Sequence, residues 1–196
     1  MKHIFKQGEQ GKPVFLLLHG TGGSETDLLP LAEMLDPTYS VLSVKGKVSE
    51  NGMARFFKRL GEGKYDLEDL EYRGKELFHF VKTAAEKYNF KLEDVIPVGF
   101  SNGSNIAINL ILREETPFQK ALLFAPLYPV DVEDNQKDLS EFEVFLSMGE
   151  NDPIVTKEQS KDVINIFKER NAKVNETWVN SHEMTQAAVL AGKKIL

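Results

Sequence analysis

A glycine-flanked serine near the middle of the chain joins a strand-like run to an apolar helix. Residues 95–98 are typical of a short buried strand, and residues 105–112 are apolar on nearly every side, as in a helix inside a layered core. Between them, residues 99–103 read Gly-x-Ser-x-Gly, and the two glycines let strand and helix approach closely. The spacing predicts a strained turn that projects the Ser101 hydroxyl above a sheet. Because Pro97 cannot donate to a sheet ladder, we expect a local irregularity there.

Strand-like and helix-like segments alternate along the whole chain. This alternation predicts an α/β fold with a mostly parallel central sheet and helices on both faces. The predicted strands are Val14–Leu18, Ser40–Val44, 95–98, 121–124, 144–147 and Lys173–Val179, and the predicted helices are 28–35, Leu67–Tyr88, 105–112, 156–170 and a closing helix after residue 183.

Length and composition set limits on the function. A chain of 196 residues is predicted to form one domain over residues 1–196, and 41% hydrophobic with 28% charged residues is typical of a globular protein. The net charge of -6 argues against nucleic-acid and anionic-membrane partners. No apolar run is long enough for a signal peptide or a membrane span, so a cytoplasmic location is expected. Without cysteine, thiol nucleophiles and thiolate metal sites are excluded.

A glycine-rich loop follows the first buried strand. Residues 20–23 contain three glycines in four positions, a composition that lets backbone N–H groups turn toward an anion or a developing oxyanion. The loop lacks the Gly-Lys-Ser/Thr ending of a P-loop and does not complete Gly-x-Gly-x-x-Gly, so a phosphate site is disfavoured. His19, which precedes the loop, is expected to shape it by hydrogen bonding rather than to act as a base.

Residues 45–65 form a long connection without clean periodicity, and it is locally basic and aromatic in an acidic protein. Two interpretations stay open. Phe56 and Phe57 can plug the core while the charged residues are solvated. Alternatively, the segment is a flap that lines a substrate pocket, as long loops often do.

Three chemically suitable residues follow three different predicted strands. Ser101, Asp152 and His182 each stand in a loop at the carboxyl end of a strand, where parallel sheets bind their ligands. The order Ser, Asp, His is the one expected of α/β-hydrolases. This order is the strongest argument for a shared site.

The three residue types fit nucleophilic catalysis. A serine hydroxyl needs a base, which His182 supplies, and the imidazole needs a carboxylate to fix its tautomer. Asp152 is favoured over its rival Glu150 because Pro153 stiffens the backbone beside it. The backbone N–H groups of Thr21 and Asn102 fit the oxyanion hole. His79 falls off the apolar stripe of its helix and is expected at the surface.

At these residues the chain resembles the α/β-hydrolase superfamily over almost its whole length. It resembles more closely the small, lidless carboxylesterase/phospholipase family that includes acyl-protein thioesterases. Residues 46–57 are similar to a bacterial branch of hydrolases linked to methylhydroquinone degradation. Members of that branch usually show Gly-Gly-His at the base, whereas Asn180 and Ser181 precede His182 here.

The resemblance implies an α/β-hydrolase fold without a large cap domain and a carboxylesterase-type serine hydrolase that forms an acyl-enzyme. Thioesterase or lysophospholipase-like activity is the alternative within the class, and a non-catalytic ligand-binding homologue is the alternative outside it. The expected partner is a small-molecule ester, with no cofactor and no metal, and a homodimer stays open. The candidate pocket residues are Phe56, Phe57, Leu127 and Tyr128.

Overall fold

The computed structural model describes residues 1–196 and contains eleven strands and five α-helices. A 3₁₀ turn at Leu92–Asp94 precedes the strand that carries the serine turn. The elements in chain order are β1 His3–Lys6, β2 Val14–Leu18, α1 Leu29–Leu35, β3 Ser40–Val44, β4 Val48–Glu50, β5 Met53–Arg55, β6 Arg59–Gly61, β7 Lys64–Tyr65, α2 Leu67–Tyr88, β8 Val95–Phe100, α3 Asn102–Leu112, β9 Lys120–Phe124, β10 Glu143–Gly149, α4 Lys157–Lys168, β11 Lys173–Val179 and α5 Gln186–Lys193.

Seven strands form the central sheet in the order β1-β3-β2-β8-β9-β10-β11. Every neighbouring pair is parallel except β1, which pairs with β3 in antiparallel register. The predicted mostly parallel sheet is confirmed. The edge strand β1 is not among the predicted strands, because its four residues are only partly buried and show no clear pattern.

Helices cover both faces of the sheet, as predicted. One apolar cluster joins alternate strand residues to the inward faces of α2, α3 and α4, including Leu77, Ile106 and Val163. A second cluster on the other face joins α1 and α5 through residues such as Leu31 and Val189. Because both faces are covered, β2 and β3 are buried along their whole length. Burial on both faces explains the continuous apolar sequence of β2, whereas β3 also buries Ser40 and Ser43.

Pro97 lies inside β8, where the irregularity is expected. On the β2 side the register is continuous, with Pro97 opposite Leu16. On the other side, pairing with β9 begins only at Val98. The strand therefore accommodates the missing N–H by starting its second ladder one residue after the proline.

Residues 46–65 form two small hairpins, β4–β5 and β6–β7, at the end of the sheet where the serine turn lies. Residues 125–142 connect β9 to β10; many of them between 131 and 141 are exposed, whereas Leu139 and Phe142 are anchored in the core. None of the helices has the length and apolar character needed to cross a membrane.

Candidate active site

The turn between β8 and α3 holds Ser101 in a rare backbone conformation. Its φ of 51° and ψ of -117° lie in a region that residues with a side chain seldom adopt, and such strain often marks functional sites. The flanking glycines are required by close packing. A Cβ on Gly103 would lie 1.9 Å from the Leu18 carbonyl oxygen, and one on Gly99 would lie 2.6 Å from the Ser104 nitrogen. The turn predicted from the spacing is therefore present.

Ser101, His182 and Asp152 form a continuous chain of hydrogen bonds. The Ser101 Oγ lies 2.9 Å from His182 Nε2, and His182 Nδ1 lies 2.7 Å from Asp152 Oδ2. These distances fit an imidazole that donates its Nδ1 proton to the carboxylate and accepts the serine proton at Nε2. The structure thus brings together three side chains that the sequence places 30 and 81 residues apart.

The loop after β10 holds the carboxylate of Asp152, and not that of Glu150, in a buried position. The Asp152 side chain is only 1% exposed, and its second oxygen, Oδ1, accepts hydrogen bonds from the backbone N–H groups of Ile154 at 2.7 Å and Val155 at 3.0 Å. Those donors hold the carboxylate in one orientation. Glu150, in contrast, is exposed and forms an ion pair with Lys157.

The two residues expected to supply oxyanion donors lie beside Ser101. Asn102 is the first residue of α3, so its backbone N–H has no acceptor within the helix. The backbone N–H of Thr21 donates to no group of the protein. Thr21, Asn102 and Ser101 line the same cavity. Two residues whose backbone N–H groups have no acceptor in the protein therefore line the same cavity as the Ser101 hydroxyl.

That cavity has a volume of about 330 Å³ and a mixed lining. Leu127 lines it, as expected from the sequence. The expectation that Phe56, Phe57 and Tyr128 line it is wrong, because these three side chains are buried in the core beneath the cavity. Burying a large aromatic ring is strongly favourable, and α2 and α3 supply the apolar surface for it. The core-plugging interpretation is correct for Phe56 and Phe57. The pocket-lining interpretation is correct for other residues of the same segment, because Arg55, Arg59 and Tyr65 line the cavity.

The segment 45–65 contributes Arg55, Arg59 and Tyr65 to the cavity lining, and not Phe56 or Phe57. The Tyr65 hydroxyl donates to the Leu127 carbonyl at 2.6 Å, and burial raises the pKa of Tyr65. The sequence marks residues 45–65 as locally basic, but nothing in it distinguishes the two cavity-lining arginines from solvated ones. Their position depends on the hairpins, which the sequence does not predict.

His19 has the loop-shaping contacts that the sequence predicts. Its Nε2 accepts a hydrogen bond from the Gly46 N–H at 3.0 Å, and its Nδ1 donates to the Gly20 carbonyl at 2.6 Å. Burial lowers the pKa of His19, so the neutral form that accepts from Gly46 is favoured. His79 is exposed on α2, as expected.

The sheet order and the serine turn after a parallel strand define an α/β-hydrolase. A family model described as "Dienelactone hydrolase family" matches residues 58–182, which is more than half of the chain. The chain belongs to the dienelactone hydrolase family, within the α/β-hydrolase superfamily.

Relatives with known names agree with this assignment. The putative hydrolase MhqD of Bacillus subtilis (strain 168) is 42% identical over 188 residues, covering 95% of this chain and 92% of the relative. A Bacillus cereus carboxylesterase structure superimposes with a TM-score of 0.95 at 44% identity, covering 100% of this chain and 92% of the other. The structure of YahD with malic acid has a TM-score of 0.94 at 34% identity, covering 99% and 97%. The resemblance stated from the sequence is confirmed, and the chain is a hydrolase of the carboxylesterase type.

Proposed function

We propose that this protein hydrolyses carboxylic esters by a serine mechanism with a covalent acyl-enzyme on Ser101. The observation that carries the proposal is the hydrogen-bonded chain from the Ser101 hydroxyl through His182 to the buried Asp152 carboxylate. A serine hydroxyl becomes an effective nucleophile only when a base of suitable proton affinity can take its proton as it attacks.

Acylation begins when Ser101 Oγ attacks the ester carbonyl carbon and His182 Nε2 takes the hydroxyl proton. The oxyanion of the tetrahedral intermediate accepts hydrogen bonds from the backbone N–H groups of Thr21 and Asn102. His182, now cationic and stabilised by Asp152, returns the proton to the departing alkoxide, which leaves as an alcohol. The acyl group is then bound to Ser101.

Deacylation repeats these steps with water as the nucleophile. His182 takes a proton from the water, the hydroxide attacks the acyl carbon, and Ser101 leaves with the proton that His182 returns. The carboxylic acid is the second product. Every proton moves through one imidazole, and Asp152 keeps that imidazole in a single tautomer and orientation.

The cavity favours a compact substrate. Its volume of about 330 Å³ is near the lower end of ligand pockets, and Arg55, Arg59 and Tyr65 give one wall a polar surface. A long acyl chain would lie against those polar groups and displace water from them, without the apolar surface that favours its burial. The structure of YahD with malic acid, a small polar acid, is consistent with such a ligand.

Labelling with a fluorophosphonate probe tests the nucleophile. We expect the native protein to label and the Ser101→Ala variant to remain unlabelled and inactive toward p-nitrophenyl acetate. Ser104→Ala is the matched control, since this neighbouring serine is buried and donates to the Phe124 carbonyl at 2.8 Å. Equal labelling of native protein and Ser101→Ala would refute the assignment.

A series of p-nitrophenyl esters tests substrate size. We expect kcat/KM to be highest for acetate to butyrate and to fall for octanoate and longer chains. A kcat/KM that rises with chain length would contradict the compact-substrate proposal. The matching thioesters, measured in parallel, separate esterase from thioesterase activity.

A further inference from the structure

Three consecutive residues, 54–56, contact both loops that carry the proposed oxyanion donors. The Ala54 carbonyl accepts a hydrogen bond from the Gly22 N–H at 2.9 Å, next to Thr21. The Arg55 Nη1 donates to the Thr21 Oγ1 at 2.6 Å. The Phe56 N–H donates to the Asn102 Oδ1 at 2.7 Å. One short segment therefore links the glycine-rich loop to the start of α3.

The Arg55 guanidinium is itself firmly held. Its side chain is 5% exposed, and its Nε donates to the Phe57 carbonyl at 3.2 Å and lies 3.3 Å from Glu50 Oε2. Glu50 also forms an ion pair with Arg59, whose Nε donates to both carboxylate oxygens at 3.0 Å. A guanidinium is planar and presents its donors in a fixed fork, so these contacts determine where Nη1 points.

The loop that Arg55 contacts has little rigidity of its own. Glycine occupies positions 20, 22 and 23, and Gly22 adopts a φ of +82°. Within the loop, Gly23 N–H donates to the Gly20 carbonyl at 3.0 Å, but this bond does not involve Thr21. Thr21 is exposed, and its Oγ1 bond to Arg55 is the one hydrogen bond that its side chain forms.

We propose that Arg55 is a positioning residue that holds Thr21, so that the Thr21 and Asn102 N–H groups converge on one oxyanion. The inference rests on the proposed serine mechanism. An oxyanion hole is effective only when its donors are already aimed at the site of developing charge, because reorganisation during the reaction costs rate. Arg55 and Thr21 also lie outside the residues 58–182 that the family model matches.

A double-mutant cycle tests the contact between the two side chains. Arg55→Met removes the donor, and Thr21→Val removes the acceptor while keeping the backbone N–H. With p-nitrophenyl acetate we expect kcat of each variant to fall by about 10- to 100-fold, while KM changes by less than about twofold. This loss is no larger than the loss caused by removing an oxyanion donor. The double variant should lose no more than the worse single variant, because both break the same contact.

A matched control variant tests whether the loss of any buried arginine lowers kcat. Arg113 is also mostly buried and ion-paired, to Glu71 and Glu115, but it does not line the cavity. Arg113→Met should keep the native kcat within about twofold, as expected of a site outside the cavity. If Arg55→Met does not fold, Thr21→Val alone still carries the test, since it is predicted to lose kcat at unchanged KM.

Three results would overturn the proposal. The first is a Thr21→Val variant with native kcat, and the second is losses that multiply in the double variant. The third is an Arg55→Met variant whose KM rises only for an anionic ester such as p-nitrophenyl hemisuccinate, with kcat for p-nitrophenyl acetate unchanged. That result would make Arg55 a substrate ligand instead. Failure of the serine mechanism is distinguishable, because the native protein would then resist the fluorophosphonate probe regardless of Arg55.

Discussion

The active-site cavity has two walls of different construction. One wall consists of loops that follow β8, β10 and β11 and carry Ser101, Asp152 and His182. A second wall is formed by Arg55, Arg59 and Tyr65 of the segment 46–65, which is folded into two hairpins outside the central sheet. The first wall holds its reactive side chains at strand ends of the sheet, whereas the second is tied to the rest of the molecule by side-chain hydrogen bonds such as Arg55 to Thr21.

This difference indicates a division of labour. Side chains at strand ends inherit the rigidity of a sheet buried on both faces, which suits groups that must stay within hydrogen-bonding distance of one another. The hairpins place polar groups against the cavity and can change without altering the sheet. We therefore expect substitutions in the first wall to abolish the reaction and most substitutions in the second to change stability or rate less.

The largest effect is expected from His182→Ala. Removing the base from a Ser-His-Asp arrangement costs roughly 10⁴- to 10⁶-fold in kcat. His79→Ala is the matched control, because His79 is exposed on α2, and it should keep nearly native activity. Steady-state kinetics with p-nitrophenyl acetate measure both, and comparable losses would show that His182 is not the base.

Asp152→Asn should rank second, with kcat reduced by up to about 10⁴-fold because the amide no longer stabilises the cationic imidazole or fixes its tautomer. Glu150→Gln should change kcat little, since Glu150 is exposed and pairs with Lys157. The same assay compares the two variants. A larger loss for Glu150→Gln would reverse the assignment of the acid.

In the segment 46–65, Phe57→Ala should lower the free energy of unfolding. Phe57 is fully buried, and its ring centroid lies 4.7 Å from that of Tyr65. Truncating such a core side chain costs about 3–5 kcal/mol in the free energy of unfolding. Leu60→Ala, at an exposed position in the neighbouring hairpin, should cost less than about 0.5 kcal/mol. Denaturant unfolding measures both, and a Phe57→Ala loss as small as that of Leu60→Ala would contradict the buried role.

The smallest effect depends on pH and concerns His19, which follows β2 and accepts a hydrogen bond from Gly46 at the start of the second wall. Burial lowers the pKa of His19 in the folded protein below its ordinary value of 6.5. The unfolded chain therefore binds a proton more readily, and the stability contributed by neutral His19 falls as the pH drops below about 6.5. The stability advantage of the native protein over His19→Gln should shrink between pH 7.5 and 5.5. An advantage that grows on acidification would contradict the lowered pKa.

The sequence predicts much of the first wall because its signals are local. Residues 99–103 require a tight strand-to-helix turn, and the glycine contacts with Leu18 and Ser104 give the steric reason. The parallel sheet brings the carboxyl ends of its strands to one edge, which explains why Asp152 and His182 arrive beside Ser101. Each step uses a short pattern and one topological rule.

The second wall could not be predicted, because its structure depends on distant contacts. Phe56 and Phe57 resemble pocket aromatics in sequence, but α2 and α3 offer them a core that no local pattern reveals. Arg55 is buried only because Glu50, Phe57 and Thr21 together satisfy its donors. The edge strand His3–Lys6 is not predicted for a related reason, because its strand conformation depends on hydrogen bonds to one distant strand, Ser40–Val44.

The most direct test of the central claim is to locate the acyl group during turnover. A bulky ester, p-nitrophenyl trimethylacetate, deacylates slowly, so the reaction can be quenched in acid and mapped by peptide mass spectrometry. We expect a trimethylacetyl group on Ser101, in an amount equal to the initial burst of p-nitrophenol. An acyl group on any other residue, or turnover without a burst and without an adduct, would contradict it.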